Sequence, residues 1–281
     1  MSAPAFVHLR LHSEFSVVDG VVRLDKVVKA AADDGQGALA LTDAGNMFGA
    51  VRFYKAARGA GVKPILGVDA WVSNDADRDR PYRLLLLAAD RSGYLNLCEL
   101  LSRAWLQNPY RGRGELRPEW LAELNGGLIA LSGAASGEVG SLLLAGKRAA
   151  AVEAAQRLAQ WFPRRLYLEL QRAGRDSDEP LVKATLRLAR ELDLPVVATH
   201  PVQYLAAEDF RAHEARVCIA EGETLADPRR PQRFTREQYF KRQEEMTALF
   251  ADIPAALANS VQIAQRCNLE LVLGKPRLPD Y

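Results

Sequence analysis

Short apolar runs alternate with longer segments of helical period along most of the chain, the pattern of parallel strands joined by crossover helices. Seven runs read as strands: FVHLRL (6–11), GALALTD (37–43), KPILGVDAWV (63–72), RLLLLAAD (83–90), GGLIALSG (126–133), RLYLELQ (165–171) and LPVVATH (194–200). Each is bounded by Gly, Pro or charged residues. Between them, Leu24, Val27, Val28 and Ala31 share one helical face before Gly35, and Leu181, Thr185, Leu188 and Leu192 form a stripe that ends at Pro195. Beyond residue 201 the strand signals vanish, and EEMTALFADIPAALANSVQIAQRCN reads as two helices, with Pro254 opening the second. The polar, aperiodic stretch SNDADRDRP (73–81) predicts a mobile loop. No repeat or flexible linker divides residues 1–270, so the pattern favours one distorted, barrel-like α/β domain, with an open doubly wound sheet as the alternative. In either architecture, functional groups gather at the C-terminal ends of the strands.

With 281 residues, 48% hydrophobic and 26% charged, the chain has enough apolar surface for a large core. The longest apolar run, Leu84 to Ala89, is too short for a bilayer, and MSAPAFVHLRLH lacks the apolar stretch of a secretory signal, so a soluble cytoplasmic protein with no membrane contact is expected. Cys98, Cys218 and Cys267 are odd in number, widely spaced and set in apolar helical patterns, which reads as buried free thiols. A net charge of +2 does not mark the whole chain as a nucleic-acid binder. Two clusters, YRGRGELRPEW (110–120) and DPRRPQRFTREQYFKRQ (227–243), mix arginines with aromatics as a phosphate-and-base surface does, although solvated loops account for them more simply.

His8, Arg10 and His12 occupy alternate positions, so on a strand all three side chains leave one face. An arginine between two histidines is a poor start for a metal site, because guanidinium keeps its proton and offers no lone pair. Strand ends supply further candidates: His12 and Asp19 follow the first run, Asp43 ends the second, Asp69 lies on the third and Glu169 on the sixth. A hydrolytic metal centre needs neutral imidazoles, carboxylates and an open position for water. Other chemistries find no support. No glycine-rich run precedes Lys-Ser/Thr, no GxSxG elbow occurs, and Ser132 reads as part of a strand-end turn.

FVHLRLHSEFSVVDG, ALALTDAGNMFGAVRFYKAARGAGVKPILGVD, LLLLAADRSGYLNL, LIALSGAASGEVG and LFADIPAALANSVQIAQRCN follow one another in an order that closely resembles one family. It is the PHP (polymerase and histidinol phosphatase) domain found at the N-terminus of the bacterial replicative DNA polymerase III alpha subunit, and the likeness runs from about Phe6 to Asn268. The resemblance implies a distorted (βα)7 barrel of the TIM-like PHP fold with a helical C-terminal end. By this resemblance residues 1–270 are the domain, and 271–281, which end in LGKPRLPDY, are the start of the connection to a polymerase palm. Metal-binding members of the family use a cluster of histidines, carboxylates and a cysteine, and most of those positions are altered. Arg10 stands for the first histidine of an HxH pair, Ala44 for a histidine after LTD, Asp69 for a glutamate, Arg83 for a histidine, Ala134 for a cysteine, Pro201 for an aspartate and Gln203 for a histidine. Only His12, Asp19 and the shorter Asp69 remain as donors.

What the resemblance implies is a vestigial site, comprising His8, Arg10, His12, Asp19, Asp43, Asp69 and Arg83, with no catalytic residue and no metal. Arg10 and Arg83 are expected to stand in for the missing cations by pairing with Asp19, Asp43 or Asp69. The resemblance further implies a bracing role toward the rest of a polymerase chain and a docking surface for the proofreading exonuclease subunit. No cofactor is expected here, magnesium belonging to the palm, and DNA is expected to be met through the parent polymerase. The competing expectation is an active phosphoesterase, a 3′–5′ exonuclease or a pyrophosphatase, with metal on His12, Asp19 and Asp69.

Overall fold

The computed structural model describes residues 5–227 and 229–275. Its strands are β1 (Ala38–Leu41), β2 (Lys63–Val72), β3 (Tyr82–Ala88), β4 (Pro109–Tyr110), β5 (Arg113–Leu116), β6 (Leu128–Leu131), β7 (Leu166–Gln171) and β8 (Val196–Thr199). The helices are α1 (Leu24–Asp33), α2 (Ala50–Gly59), α3 (Arg91–Gln107), α4 (Pro118–Glu123), α5 (Glu138–Leu144), α6 (Arg148–Trp161), α7 (Asp178–Leu192), α8 (Phe210–Glu221), α9 (Gln243–Leu249) and α10 (Pro254–Arg266). The α1 stripe is buried as its period requires, as are Leu181, Thr185 and Leu188 on α7, whose Leu192 in the last turn is only half-buried, and Pro254 sits in the first turn of α10, where its missing N–H costs nothing. Among the described residues no helix is long and apolar enough to cross a membrane.

The sheet runs β4-β5-β2-β3-β6-β7-β8, with β1 beside the first half of β2. β3 departs from the all-parallel expectation: it is antiparallel to both β2 and β6. Residues 73–81 are too few for a crossover, which takes about a dozen or more, so the chain can only turn back. That loop is tied down by Asn74 Nδ2 donating to Arg80 O at 2.9 Å and by Arg78 Nη2 donating to Asn108 Oδ1 at 2.6 Å.

Residues 6–11, expected as the first strand, are extended but form no regular ladder. Side chains take their N–H groups instead: Val7 donates to Ser260 Oγ at 3.1 Å and Leu11 to Thr42 Oγ1 at 2.9 Å. The segment still lies between β1 and the residues after β8, through Ala40 N to His8 O (2.9 Å), Thr42 N to Leu11 O (3.0 Å) and His12 N to Val202 O (3.0 Å). It therefore spans the seam of a seven-membered ring. One buried cluster draws on every member of that ring: Val7 and Leu9, Ala38 and Ala40, Ile65, Leu85 and Leu87, Ile129 and Leu131, Tyr167, and Val197. Ile263, Ala264 and Cys267 join it from the end of α10, closing the end where the parallel strands begin. This is the filled interior of a distorted barrel rather than an open sheet. The remaining clusters pack helices on the outside, with Leu97 and Leu100 of α3 and Leu158 of α6 against β3 and β6.

Both arginine-rich stretches are more ordered than solvated loops. Tyr110 and Arg113 pair across a hairpin whose central residues, Arg111 and Gly112, both have positive φ, as a two-residue turn of this kind requires. Glu115 on β5 is wholly buried, accepting from Arg113 Nε at 2.8 Å and Arg78 Nε at 3.3 Å. In the second stretch, residues 235–241 form a strap across His8 and His200, whose Nε2 atoms donate to Lys241 O (2.8 Å) and Glu237 O (2.7 Å). The three cysteines are free: Cys98 on α3 is partly buried, while Cys218 on α8 and Cys267, just past α10, are buried. Of the connection expected from 271 onward, 276–281 lies outside the described residues, and Leu271 N donates to the Tyr54 hydroxyl at 3.2 Å.

Candidate functional site: an ion-paired barrel mouth

Alternation along 6–12 switches between Leu9 and Arg10. Val7 and Leu9 face the barrel interior while Phe6 and His8 face outward; Arg10 and His12 then face inward, and Leu11 packs against the α1 and α2 layer. His8 therefore does not join Arg10 and His12. Its ring packs against Phe240 at 4.6 Å between centroids and against Phe6 at 4.9 Å, and burial lowers its pKa to about 4, leaving a neutral imidazole.

Asp69, near the C-terminal end of β2 and only 2% exposed, is the hub. Its Oδ2 accepts from Arg10 Nη1 and from His12 Nε2 at 3.2 Å and lies 2.8 Å from Arg83 Nη2, which donates to the Asp69 backbone O at 3.1 Å, while Oδ1 accepts from Arg83 Nε at 3.2 Å. Arg10 also forks onto Glu169 of β7, Nε to Oε1 at 2.9 Å and Nη2 to Oε2 at 3.2 Å. Glu169 further accepts from the Thr199 hydroxyl, from Gln171 Nε2 at 2.9 Å and from Gly133 N at 3.0 Å. Gly133 has φ 82°, and a Cβ there would lie 2.2 Å from Arg83 O, so glycine is required for this contact. Arg83 meanwhile lies over the Trp71 ring, 4.5 Å from its centroid.

His12 Nδ1 contacts Asp19 at 2.9 and 3.0 Å. Asp19 is held by Ser16 Oγ at 2.9 Å in a turn where a Cβ on Gly20 would strike Ser13 O at 1.9 Å. Asp43 stands apart from both arginines and accepts from Ser13 N at 2.6 Å and Ser13 Oγ at 2.9 Å. The expected set thus divides: Arg10, His12, Asp19, Asp69 and Arg83 form one network, Asp43 borders it through Ser13, and His8 lies outside. Glu169, noted as a strand-end acid but left out of the expected site, is Arg10's second partner. Its alternation with inward-facing Tyr167 on β7 was the available signal.

Charge balance follows from these contacts. Burial alone would raise the Asp69 pKa, but Arg10, Arg83 and His12 hold it well below the usual carboxylate range, and the two acids outweigh burial to hold Arg10 above its ordinary value. Burial opposes the shift at Asp19 too, where His12 and Arg83 keep the pKa low. Asp43, with no cation bonded to it, is pushed up by burial to about 6. His12 is raised from 6.5 to about 9, burial being outweighed by Asp19 and Asp69, so both ring nitrogens carry protons at neutral pH. Its stabilising contribution is complete below pH 6.5 and is lost as pH rises through about 9. A rise of that size corresponds to about 3 kcal/mol. Urea unfolding across that range should show this alkaline decline in the wild type, and His12→Gln should be less stable at the acid end and lack the decline.

These residues do not fit a divalent cation. Both Asp69 oxygens already face N–H donors, His12 offers no lone pair while protonated, and two guanidinium groups stand where a cation would be repelled. Among the described residues no group of three His, Cys, Asp or Glu side chains is arranged to hold a metal ion.

Beside the mouth, Val17, Phe48, Trp71, Leu101, Trp105 and Leu106 line an apolar groove of about 700 Å³, with Phe48 72% and Leu106 82% exposed.

The DNA polymerase III subunit alpha of Pseudomonas aeruginosa is 48% identical over 277 residues, 99% of this chain and 24% of that protein. That of Escherichia coli K12 is 47% identical over 285 residues, 100% of this chain and 24% of that protein. The chain spans about a quarter of the length of these curated relatives. An amidohydrolase structure from Chromobacterium violaceum aligns with a TM-score of 0.45 at 15% identity, covering 75% of this chain and 96% of that one. The family model described as "PHP domain" matches residues 8–173, more than half of the sequence, and the chain belongs to the PHP domain family.

Proposed function

We propose that this chain is a non-catalytic PHP domain of a replicative DNA polymerase III alpha subunit, bracing neighbouring polymerase domains and offering a docking surface to the proofreading exonuclease subunit. The observation that carries the reading is the barrel mouth, where Arg10 joins β2 to β7 through Asp69 and Glu169. Guanidinium groups there do the cross-linking that metal ions do in other members, and they leave no open coordination position for an activated water. The names of the relatives support the polymerase context, and the exposed apolar groove supports contact with another protein chain. In this reading the parent enzyme transfers nucleotides to a DNA 3′ end with magnesium held outside this domain, in the cytoplasm.

Hydrolysis of a DNA 3′ end and of pyrophosphate, assayed with added Mn²⁺ or Zn²⁺, tests the non-catalytic half. Asp19→Ala should lower the melting temperature, because His12 loses its partner, and leave hydrolysis at the same background. Metal-dependent hydrolysis that disappears in Asp19→Ala would instead establish a phosphoesterase. Co-purification of the chain with the exonuclease subunit tests the docking half, and failure of the two to associate at micromolar concentration counts against it.

A further inference from the structure

The end of the barrel opposite Arg10 carries cations that form no ion pair with an acid among the described residues. Arg164 and Arg165 directly precede β7, Arg266 ends α10 and Lys63 opens β2. Pro163, Arg164, Arg165 and Arg266 line a solvent-open cleft of about 450 Å³. The arrangement differs from the arginine-rich stretches, where Arg78 and Arg113 pair with Glu115, Arg111 with Asp79, Arg229 with Asp227, Arg230 with Glu214 and Arg233 with Glu221. Those charges are neutralised within the fold. Among the described residues, the cleft arginines and Lys63 meet only neutral acceptors.

Arg165 Nη1 donates to Leu128 O at 2.9 Å and to Asn125 O, and its Nη2 donates to Asn125 Oδ1 at 3.2 Å. Arg266 donates to the Tyr167 hydroxyl at 2.8 Å and to Arg164 O at 3.0 Å. Lys63 Nζ donates to Ala264 O and Asn268 Oδ1, both at 2.8 Å. Neutral oxygens fix the directions of these groups and leave their charge intact, so like charges are held together by the fold. The pKa of Arg165 is lowered, first by burial and then by Arg266; Asp90 acts the other way, but its Oδ1 already caps α3 by accepting from Gly93 N at 2.9 Å.

We propose that this cleft binds a phosphate oxyanion, carried by a nucleic-acid backbone or free in solution. Guanidinium matches phosphate by paired N–H donors, and fixed cations without acids in the cleft are the electrostatic footprint of a phosphate ligand. The inference goes beyond the function proposed above and does not depend on it.

The test uses the full chain with a short fluorescent single- or double-stranded DNA across a salt series, and calorimetry with inorganic phosphate. Arg164→Gln touches no side-chain hydrogen bond of the fold, and Arg164→Gln/Arg266→Gln removes two of the three cleft charges. The double variant should bind phosphate about tenfold more weakly, and each neutralisation should reduce the salt slope for DNA by about one if the backbone is the source. Loss of phosphate binding with DNA binding unchanged keeps the site and assigns it to a free anion. Wild-type-like binding of both probes by the variants overturns the proposal, as does capture of polyglutamate with no affinity for either phosphate probe. Where Arg266→Gln lowers the melting temperature, Arg164→Gln alone decides the result.

Discussion

Arg10→Met is expected to lower the unfolding free energy by about 3–5 kcal/mol, read as a fall in the urea midpoint with unchanged slope. Methionine fills a similar volume but leaves Asp69 and Glu169, both essentially inaccessible, facing each other without the cation between them. Arg83 and His12 still serve Asp69, and Gly133, Thr199 and Gln171 still serve Glu169, so neither acid is stripped of donors. What is lost is the charge that makes two buried carboxylates tolerable side by side. Replacing Asp69 by Leu in the Arg10→Met background should cost much less than the two single changes added together, since groups in one network do not act independently. Arg111→Met, which breaks an exposed pair with Asp79, serves as the control and should change stability by less than about 1 kcal/mol.

Asp69→Asn should be as damaging, by about 3–5 kcal/mol, through the opposite imbalance. The amide keeps the shape of the side chain but presents N–H groups to Arg10, Arg83 and a protonated His12. Three cations would then share one remaining acid on β7 and Asp19 in the turn after residue 12. The fingerprint that separates this from simple loss of packing lies at His12. Its pKa, about 9 with Asp19 and Asp69 both ionised, should fall in the variant when followed by NMR titration of the imidazole. An unchanged titration would mean that Asp69 does not hold the proton on His12.

How far the fold could be read from residues alone depends on what each residue's neighbours supply. Six of the seven apolar runs are strands because their period and their bounding Gly, Pro and charges are local signals, and α1, α7 and α10 follow from equally local stripes and caps. The direction of β3 is not written in its own residues; it follows from the shortness of 73–81. β4 and β5 were hidden because the charged string RGRGEL (111–116) reads as exposed, whereas Glu115 is buried only by virtue of Arg78, some distance away in the chain, and Arg113. The site shows the same division. That Arg10 and Arg83 need carboxylates is elementary electrostatics, but the choice of Asp69 and Glu169 over Asp19 and Asp43 is set by the strand register that faces them across the mouth. His8 failed to join them because same-face alternation holds only for a regular strand, and this segment gives its N–H groups to side chains.

The most direct test of the central claim is anomalous diffraction from crystals of the chain grown with excess Mn²⁺. The ion-paired mouth predicts no manganese peak there, with Arg10 seated between Asp69 and Glu169. A fully occupied peak held by His12, Asp19 and Asp69, with the Arg10 guanidinium displaced, would contradict it.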